Sequence, residues 1–342
     1  MFAPLAPQGR LAVGALVLAL LALPLVWRDT YVLHLVILSM VFGGFAVAWN
    51  FTTGYAGLKT FGHHAFFGIG AYFSALISKN FEVTPWLTAP VAGLVAACAG
   101  LVVALPVLRI RSVPHVAMVT LGFAEIVRVL LTVFRETTRG EMGLWGIPAF
   151  DGFTVPGLGE VVFNAAEKVP YYYLAALLFL GTVYATVRLV KSPIGLALVA
   201  IRDSQDAAES LGINLTRYKL LAFSASAFAV GLLGAFYAHY ILLLTPSSVL
   251  GLDLMILVIG MTLIGGVGTL FGPILGAFVM TIGVEAMRGI GEYRMLIYGA
   301  LIVVVVMFMP RGLVALLDGL GPRFGFGRGV RLATSEDAAR PG

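Results

Sequence analysis

The chain is a succession of apolar runs, each about as long as a bilayer is thick, and nothing else in it limits the fold so tightly. A membrane-spanning helix needs roughly 17–25 mostly apolar residues, because backbone groups in lipid must bond within their own segment. Such runs fall at 11–27, 31–49, 61–79, 86–108, 113–134, 170–190, 219–244, 254–270, 271–287 and 293–310. They predict an all-α polytopic membrane bundle of about ten transmembrane helices, some broken or short. The stretch 254–287 reads as two short passes meeting at a break, Gly265-Gly266-Val267-Gly268 followed by Gly272-Pro273. Composition excludes the alternatives. Of 342 residues 60% are hydrophobic and 11% charged, whereas a soluble domain carries about a quarter charged residues. A soluble enzyme, a nucleic-acid-binding module and a disordered chain are ruled out. The single cysteine, Cys98, makes no internal disulfide or thiolate metal site. The histidines are scattered apart from His63-His64, so neither a metal nor a cofactor is expected.

Charge sets the orientation. The first run has Arg10 before it, but Trp27-Arg28-Asp29 follows where a cleavable signal would have small residues, so it reads as a retained anchor. With the N-terminus inside, 14 basic residues lie in inner segments and 7 in outer ones, Arg128 being within a pass. That bias predicts both termini in the cytoplasm. A transmembrane domain is expected over 1–318, followed by a mobile cytoplasmic tail at 319–342. Two long loops interrupt it, an extracytoplasmic one at 135–169 and a cytoplasmic one at 191–218.

The inner loop reads as a short amphipathic helix from Ile201 to Leu211. Ala207, Ala208 and Leu211 form its apolar face, Asp203, Asp206 and Glu209 lie beside it, and Gly212 stops it. It is either a solvated connector or a knob that docks on a soluble partner. Asn50–Thr60 is the most polar internal break, with Thr52, Thr53, Gly54, Gly57 and Lys59. At membrane depth such a break must be packed in protein or line water. It is therefore either a connector or a broken helix at a translocation path. Glu125 and Arg128 lie at i, i+3 deep in a pass and share a helix face. They read either as a functional pair on a substrate path or, the reading favoured, as a structural pair neutralised against another helix. Gly268, Gly272 and Gly276 repeat every four residues and predict one smooth packing stripe, meeting a neighbouring helix or a sister subunit.

Asp206-Ala207-Ala208 followed by Gly212 resembles the coupling loop of ABC-importer permeases, with Asp206 in place of the usual Glu. The continuation Gly212-Ile213-Asn214-Leu215-Thr216-Arg217-Tyr218-Lys219 is similar to branched-chain amino acid ABC transporter permeases of the LivM type. So are Gly54-Tyr55-Ala56-Gly57 with Phe61–Tyr72, Val119–Arg128 with Gly143–Pro148, and Gly265–Pro273 with Pro310–Leu313. These landmarks run in the family's order from about residue 50 to 313. The resemblance implies a subunit with no catalytic residue and no cofactor. It would pair with a second permease, in a heterodimer, within membrane lipid. It would sit on two ATP-binding subunits and take amino acid from an extracytoplasmic solute-binding protein at the inner membrane, with no role for nucleic acid. Asp206, Ala207, Ala208, Glu209, Leu211 and Gly212 would meet the ATPase. Asn50, Gly54, Tyr55, Gly57, Lys59, His63 and Thr120 become candidates for the path. Lys59, His64 and Ser112-Val113-Pro114-His115 depart from the family pattern. Urea-type importers use closely similar permeases, so the solute stays open between the two. A secondary transporter gated by Glu125–Arg128 leaves the Ala-Ala-Gly helix unexplained, and an intramembrane enzyme lacks a convergent His, Asp or Ser set.

Overall fold

The computed structural model describes residues 7–108, 110, 112–155, 159–164, 167–286, 299–300, 303, 307–309 and 312–314. The expected pass at 293–310 therefore falls largely outside the described residues, and the tail at 319–342 wholly so. Helices α1 (Pro7–Val26), α2 (Thr30–Asn50), α3 (His63–Phe81), α4 (Pro85–Leu108) and α5 (Val113–Val133) follow the first five runs closely. A short α6 (Arg135–Thr138) opens the outer loop, and α7 (Val169–Lys191) returns. Then come α8 (Pro193–Asp203), α9 (Gln205–Ser210), α10 (Leu215–Ile241), α11 (Pro246–Leu250), α12 (Leu252–Gly265) and α13 (Gly272–Ala286). Among the described residues, six helical segments are long and apolar enough to cross a membrane: 30–55, 85–108, 114–133, 169–191, 215–241 and 246–265. Helices α1 and α13 contribute shorter apolar stretches, 14–26 and 272–285. Polar residues at both ends of α3, His63 and His64 at one and Lys79 and Asn80 at the other, lower its apolar character.

The core forms around α2, α3 and α10. Asp29 starts α2 by accepting from the amides of Tyr31 (2.8 Å) and Val32 (3.0 Å). Apolar on all sides, α2 is buried along its second half, as such a helix must be. It packs on α7 and α13, while α10 packs on α3 and α4. Backbones come together where side chains are missing. Gly70 faces the Gly231 carbonyl, Gly234 faces the Phe67 carbonyl, and Gly231 faces the Ala96 methyl. Close approach of this kind drives helix association when lipid offers no hydrophobic gradient.

Two expectations are corrected. The inner helix read over 201–211 is two helices, because Ser204 is extended (φ −159°, ψ 114°) and caps α9 from there. Its hydroxyl competes for the backbone more effectively than a continued helix would satisfy it. The glycine stripe is not on one helix. Gly268 lies in the turn between α12 and α13 at φ +74°, and only Gly272 and Gly276 are in α13. Gly276 packs on the Met261 carbonyl of α12, so its neighbour is within this chain. The outer loop also holds short strands: β1 (Leu144–Trp145) pairs antiparallel with β4 (Leu243–Leu244) after α10, and β2 (Phe153–Val155) with β3 (Gly159–Val161). The loop is pinned inward by Phe150, whose ring lies 4.9 Å from Trp86 and 5.4 Å from His239.

Candidate functional site

The polar break after α2 is a continuation of the helix. Phe51–Tyr55 form one π-helical turn, all buried. A π turn widens the helix and leaves carbonyls off register, a feature common at functional sites. Asn50 sits at its start, 2% exposed. Its amide donates to the Thr269 carbonyl (2.8 Å), and its oxygen accepts from the Gly268 amide (2.8 Å). One side chain thus satisfies both polar groups in the turn between α12 and α13, where no helix could. On the other side, Arg202 of α8 donates to the Gly54 carbonyl (2.9 Å) and pairs with Asp203 (3.0 Å). Gly57 lies against the Arg202 backbone, at 3.1 Å from its Cα for an added Cβ. Gly312 closes the junction against Gly266, and Leu313 donates to the Ile264 carbonyl (2.7 Å). Residues 50–57, 202, 265–272 and 312–313 thus meet at one point. Movement of α8 has a bonded route to the end of α2 and to the break between α12 and α13.

His63 is 0% exposed. Ser226 gives its one proton to the Ala48 carbonyl (2.7 Å), so His63 must donate from Nε2 to Ser226 (2.9 Å). Its Nδ1 then accepts from Thr60 (2.7 Å). The network assigns a neutral Nε2–H tautomer. Thr120 receives the Phe61 amide (3.0 Å) and fixes α5 to the start of α3. Of the path candidates, Asn50, Gly54, Tyr55, His63 and Thr120 are buried in this chain, Gly57 is half-buried and Lys59 is exposed and apart. Among the described residues, no three His, Cys, Asp or Glu stand close enough to hold a metal.

The cytoplasmic-loop candidates divide by direction. Helix α8 begins at Ser192, which accepts from the Ile194 amide (3.2 Å), and α9 at Ser204, which accepts from Ala207 (3.3 Å). At the end of α9, Gly212 is at φ +80°. Gly212 donates to the Glu209 carbonyl (2.9 Å) and Ile213 to Ala208 (3.0 Å), the paired bonds of a Schellman motif. Ala208 is buried within this chain at 1% exposure. Asp206, Ala207, Glu209, Leu211 and Gly212 face outward. The three-residue apolar face expected from spacing is therefore divided, with Ala208 on the inside. Beside α9 lies a cavity of about 520 Å³ lined by Leu108, Gln205, Glu209, Ile213, Thr216 and Lys219. The Lys219 ammonium is buried and donates to Gln205 (2.9 Å).

Glu125 and Arg128 bond as expected, with Arg128 Nε at 2.9 and 3.1 Å from the two carboxylate oxygens and Nη2 also on Glu125. Within this chain they are only partly covered. Glu125 is 54% exposed and Arg128 33%. Among the described residues of α5 the buried face runs along Val116, Thr120 and Ala124, and the pair lies off it. Inside the chain, His64 is within electrostatic reach of Glu125. The sequence reading missed the roles of Asn50 as a clamp, Arg202 as a link and Ser226 as the partner of His63. Their partners lie 148–219 residues away, and periodicity reports only near neighbours. His239 was missed too; it joins Ser74 (2.8 Å) to the Pro148 carbonyl (2.7 Å), 0% exposed.

Apolar helices joined by a buried polar junction, with a capped amphipathic helix at one end, define a multi-pass membrane protein of permease type. The family model for the branched-chain amino acid transport system permease component matches residues 31–306. The chain belongs to that family. It is 34% identical over 292 residues to the high-affinity branched-chain amino acid transport system permease protein LivM of Salmonella typhimurium, covering 81% of this chain and 68% of that one. With the protein of the same name from Escherichia coli strain K12 it shares 33% identity over 316 residues, 86% of this chain and 73% of the relative. A more distant relative is the autoinducer 2 import system permease protein LsrC of Photorhabdus laumondii, 29% identical over 157 residues, 42% of this chain and 46% of that one. No solved structure matches.

Proposed function

We propose that this chain is the transmembrane permease subunit of an ATP-driven importer that moves branched-chain or other hydrophobic amino acids across the inner membrane. It crosses the membrane about ten times with both termini in the cytoplasm. It pairs with a second permease, stands on two ATP-binding subunits through α9, and receives solute from an extracytoplasmic binding protein. Hydrolysis of ATP belongs to those partners. The observation that carries this reading is the junction: landmarks spread over the chain meet where α8, next to the outward-facing α9, is bonded to the π turn. A channel or a gated secondary transporter has no use for such a link to a surface knob. Identity to LivM proteins over more than four-fifths of the chain supports the solute class.

The test is ATP-dependent uptake. Proteoliposomes holding this chain with second-permease, ATPase and binding-protein chains from its own genome should accumulate leucine, isoleucine or valine, and only with ATP inside. Accumulation of urea in their place would make the solute class wrong. Uptake independent of ATP would overturn the reading entirely.

A further inference from the structure

Helix α5 carries its ion pair where the described residues of this chain leave it partly open. Its described range, Val113–Val133, centres on Phe123, so Glu125 lies about 3 Å along the axis from the middle of the span. Both charges remain open, at 54% and 33%. Lipid is a poor cover for them, because ionisable groups at this depth face protein or water. Beside the pair the same open surface is apolar: Leu121 and Val129, each four residues from Glu125, are 36% and 46% exposed. One turn before Glu125 stands Gly122, where an added Cβ would meet nothing within 4 Å. The helix therefore presents a notch, an acid, a base and an aliphatic border side by side.

We propose that Glu125 and Arg128 form a transit site for the zwitterionic head group of the transported amino acid, with Gly122 leaving room for it beside the second permease. This rests on the importer reading above. An α-amino acid carries an ammonium and a carboxylate on one carbon, the same two charges the pair offers in the complementary sense. Arg128 presents a planar fork to the carboxylate, and Glu125 takes the ammonium. Exchange of the internal pair for two pairs with the solute leaves no charge uncompensated at mid-membrane, the condition that makes passage affordable. Leu121 and Val129 receive the aliphatic side chain. Apolar neighbours beside a small set of placed polar groups are the usual composition of a small-molecule site.

The experiment uses the whole importer in proteoliposomes with leucine-loaded binding protein. Two variants are compared with wild type. The exchange Glu125→Arg with Arg128→Glu keeps an i, i+3 pair and the net charge but reverses its sense. Gly122→Leu fills the notch and favours helix, and its Cβ meets nothing within 4 Å among the described residues. Both should assemble and keep ATP hydrolysis stimulated by the loaded binding protein. Leucine uptake per ATP hydrolysed should fall about tenfold or more in each, the scale of one lost charge-assisted contact. Uptake within about twofold of wild type in an assembled exchange variant would overturn the proposal. So would failure of both variants to assemble, which would make the pair an assembly contact, or a parallel fall of hydrolysis and uptake, which would make it a coupling element. A wild-type complex that imports no amino acid defeats the importer reading and this inference with it. An active wild type with a normal exchange variant defeats this inference alone.

Discussion

Asn50 does at one position what two helix ends leave undone. Its amide serves the Gly268 amide and the Thr269 carbonyl, both in a turn too tight for a helix to supply partners. Asn50→Leu keeps the volume but strands two half-buried groups. A buried polar group without a partner costs about 1–3 kcal/mol, so two fully buried groups would cost about 2–6 kcal/mol, and these half-buried ones are expected at the lower end, about 2 kcal/mol together. Thermal unfolding of the purified complex should show a clearly lower midpoint, with less folded protein in the membrane. Lys59→Gln is the control: Lys59 is exposed, and a surface change of this kind stays within about 0.5 kcal/mol. An unchanged midpoint for Asn50→Leu would mean that water replaces the amide.

Among the elements, α9 separates docking from folding. Ala207 faces outward and Ala208 faces the chain's own interior. Ala207→Arg should leave folded yield unchanged and reduce ATPase assembly or coupling. Ala208→Arg should reduce folded yield itself, since a long charged side chain replaces a methyl at 1% exposure. Equal effects of the two on folded yield would contradict this division. Gly212 adds a backbone criterion. At φ +80°, with nothing near an added Cβ, any cost of substitution is conformational and not steric. Asn visits that region readily and a β-branched residue does not. Gly212→Asn should couple nearly normally, whereas Gly212→Val should lose transport at normal expression. The helix boundaries themselves were legible, because apolar runs and Ser, Asp, Pro and Gly caps are local signals. The break at Ser204 was hidden since the surrounding Ile201–Leu211 pattern suits one helix as well as two.

For the whole molecule, topology is the property that charge bias predicts and that labelling can check. After Cys98→Ala, which removes an exposed thiol, single cysteines are placed at exposed positions Thr154 and Ser210. Phe150 would be a poor probe, being buried at 4% in the aromatic cluster. An impermeant thiol reagent on intact cells should label Thr154→Cys and spare Ser210→Cys until the membrane is opened. The reverse pattern would invert the orientation and place α9 away from any cytoplasmic ATPase.

The sequence by itself determined that this is a helical membrane protein, where most helices begin and end, and which short segments resemble a permease. Those properties follow from local chemistry: the length of an apolar run, the bonding needs of a backbone in lipid, a capping hydroxyl, a glycine past a helix end. Only the tertiary structure decided what the polar residues do. Asn50, His63 and Thr120 were read as path residues and are engaged in buried bonds to distant parts of the chain. Glu125 and Arg128 were read as a bonded pair within a pass; the bond is present, and within this chain the pair lies partly open on α5. Whether a polar side chain is used up in the fold or left free depends on partners brought near by packing, and helical spacing carries no record of them.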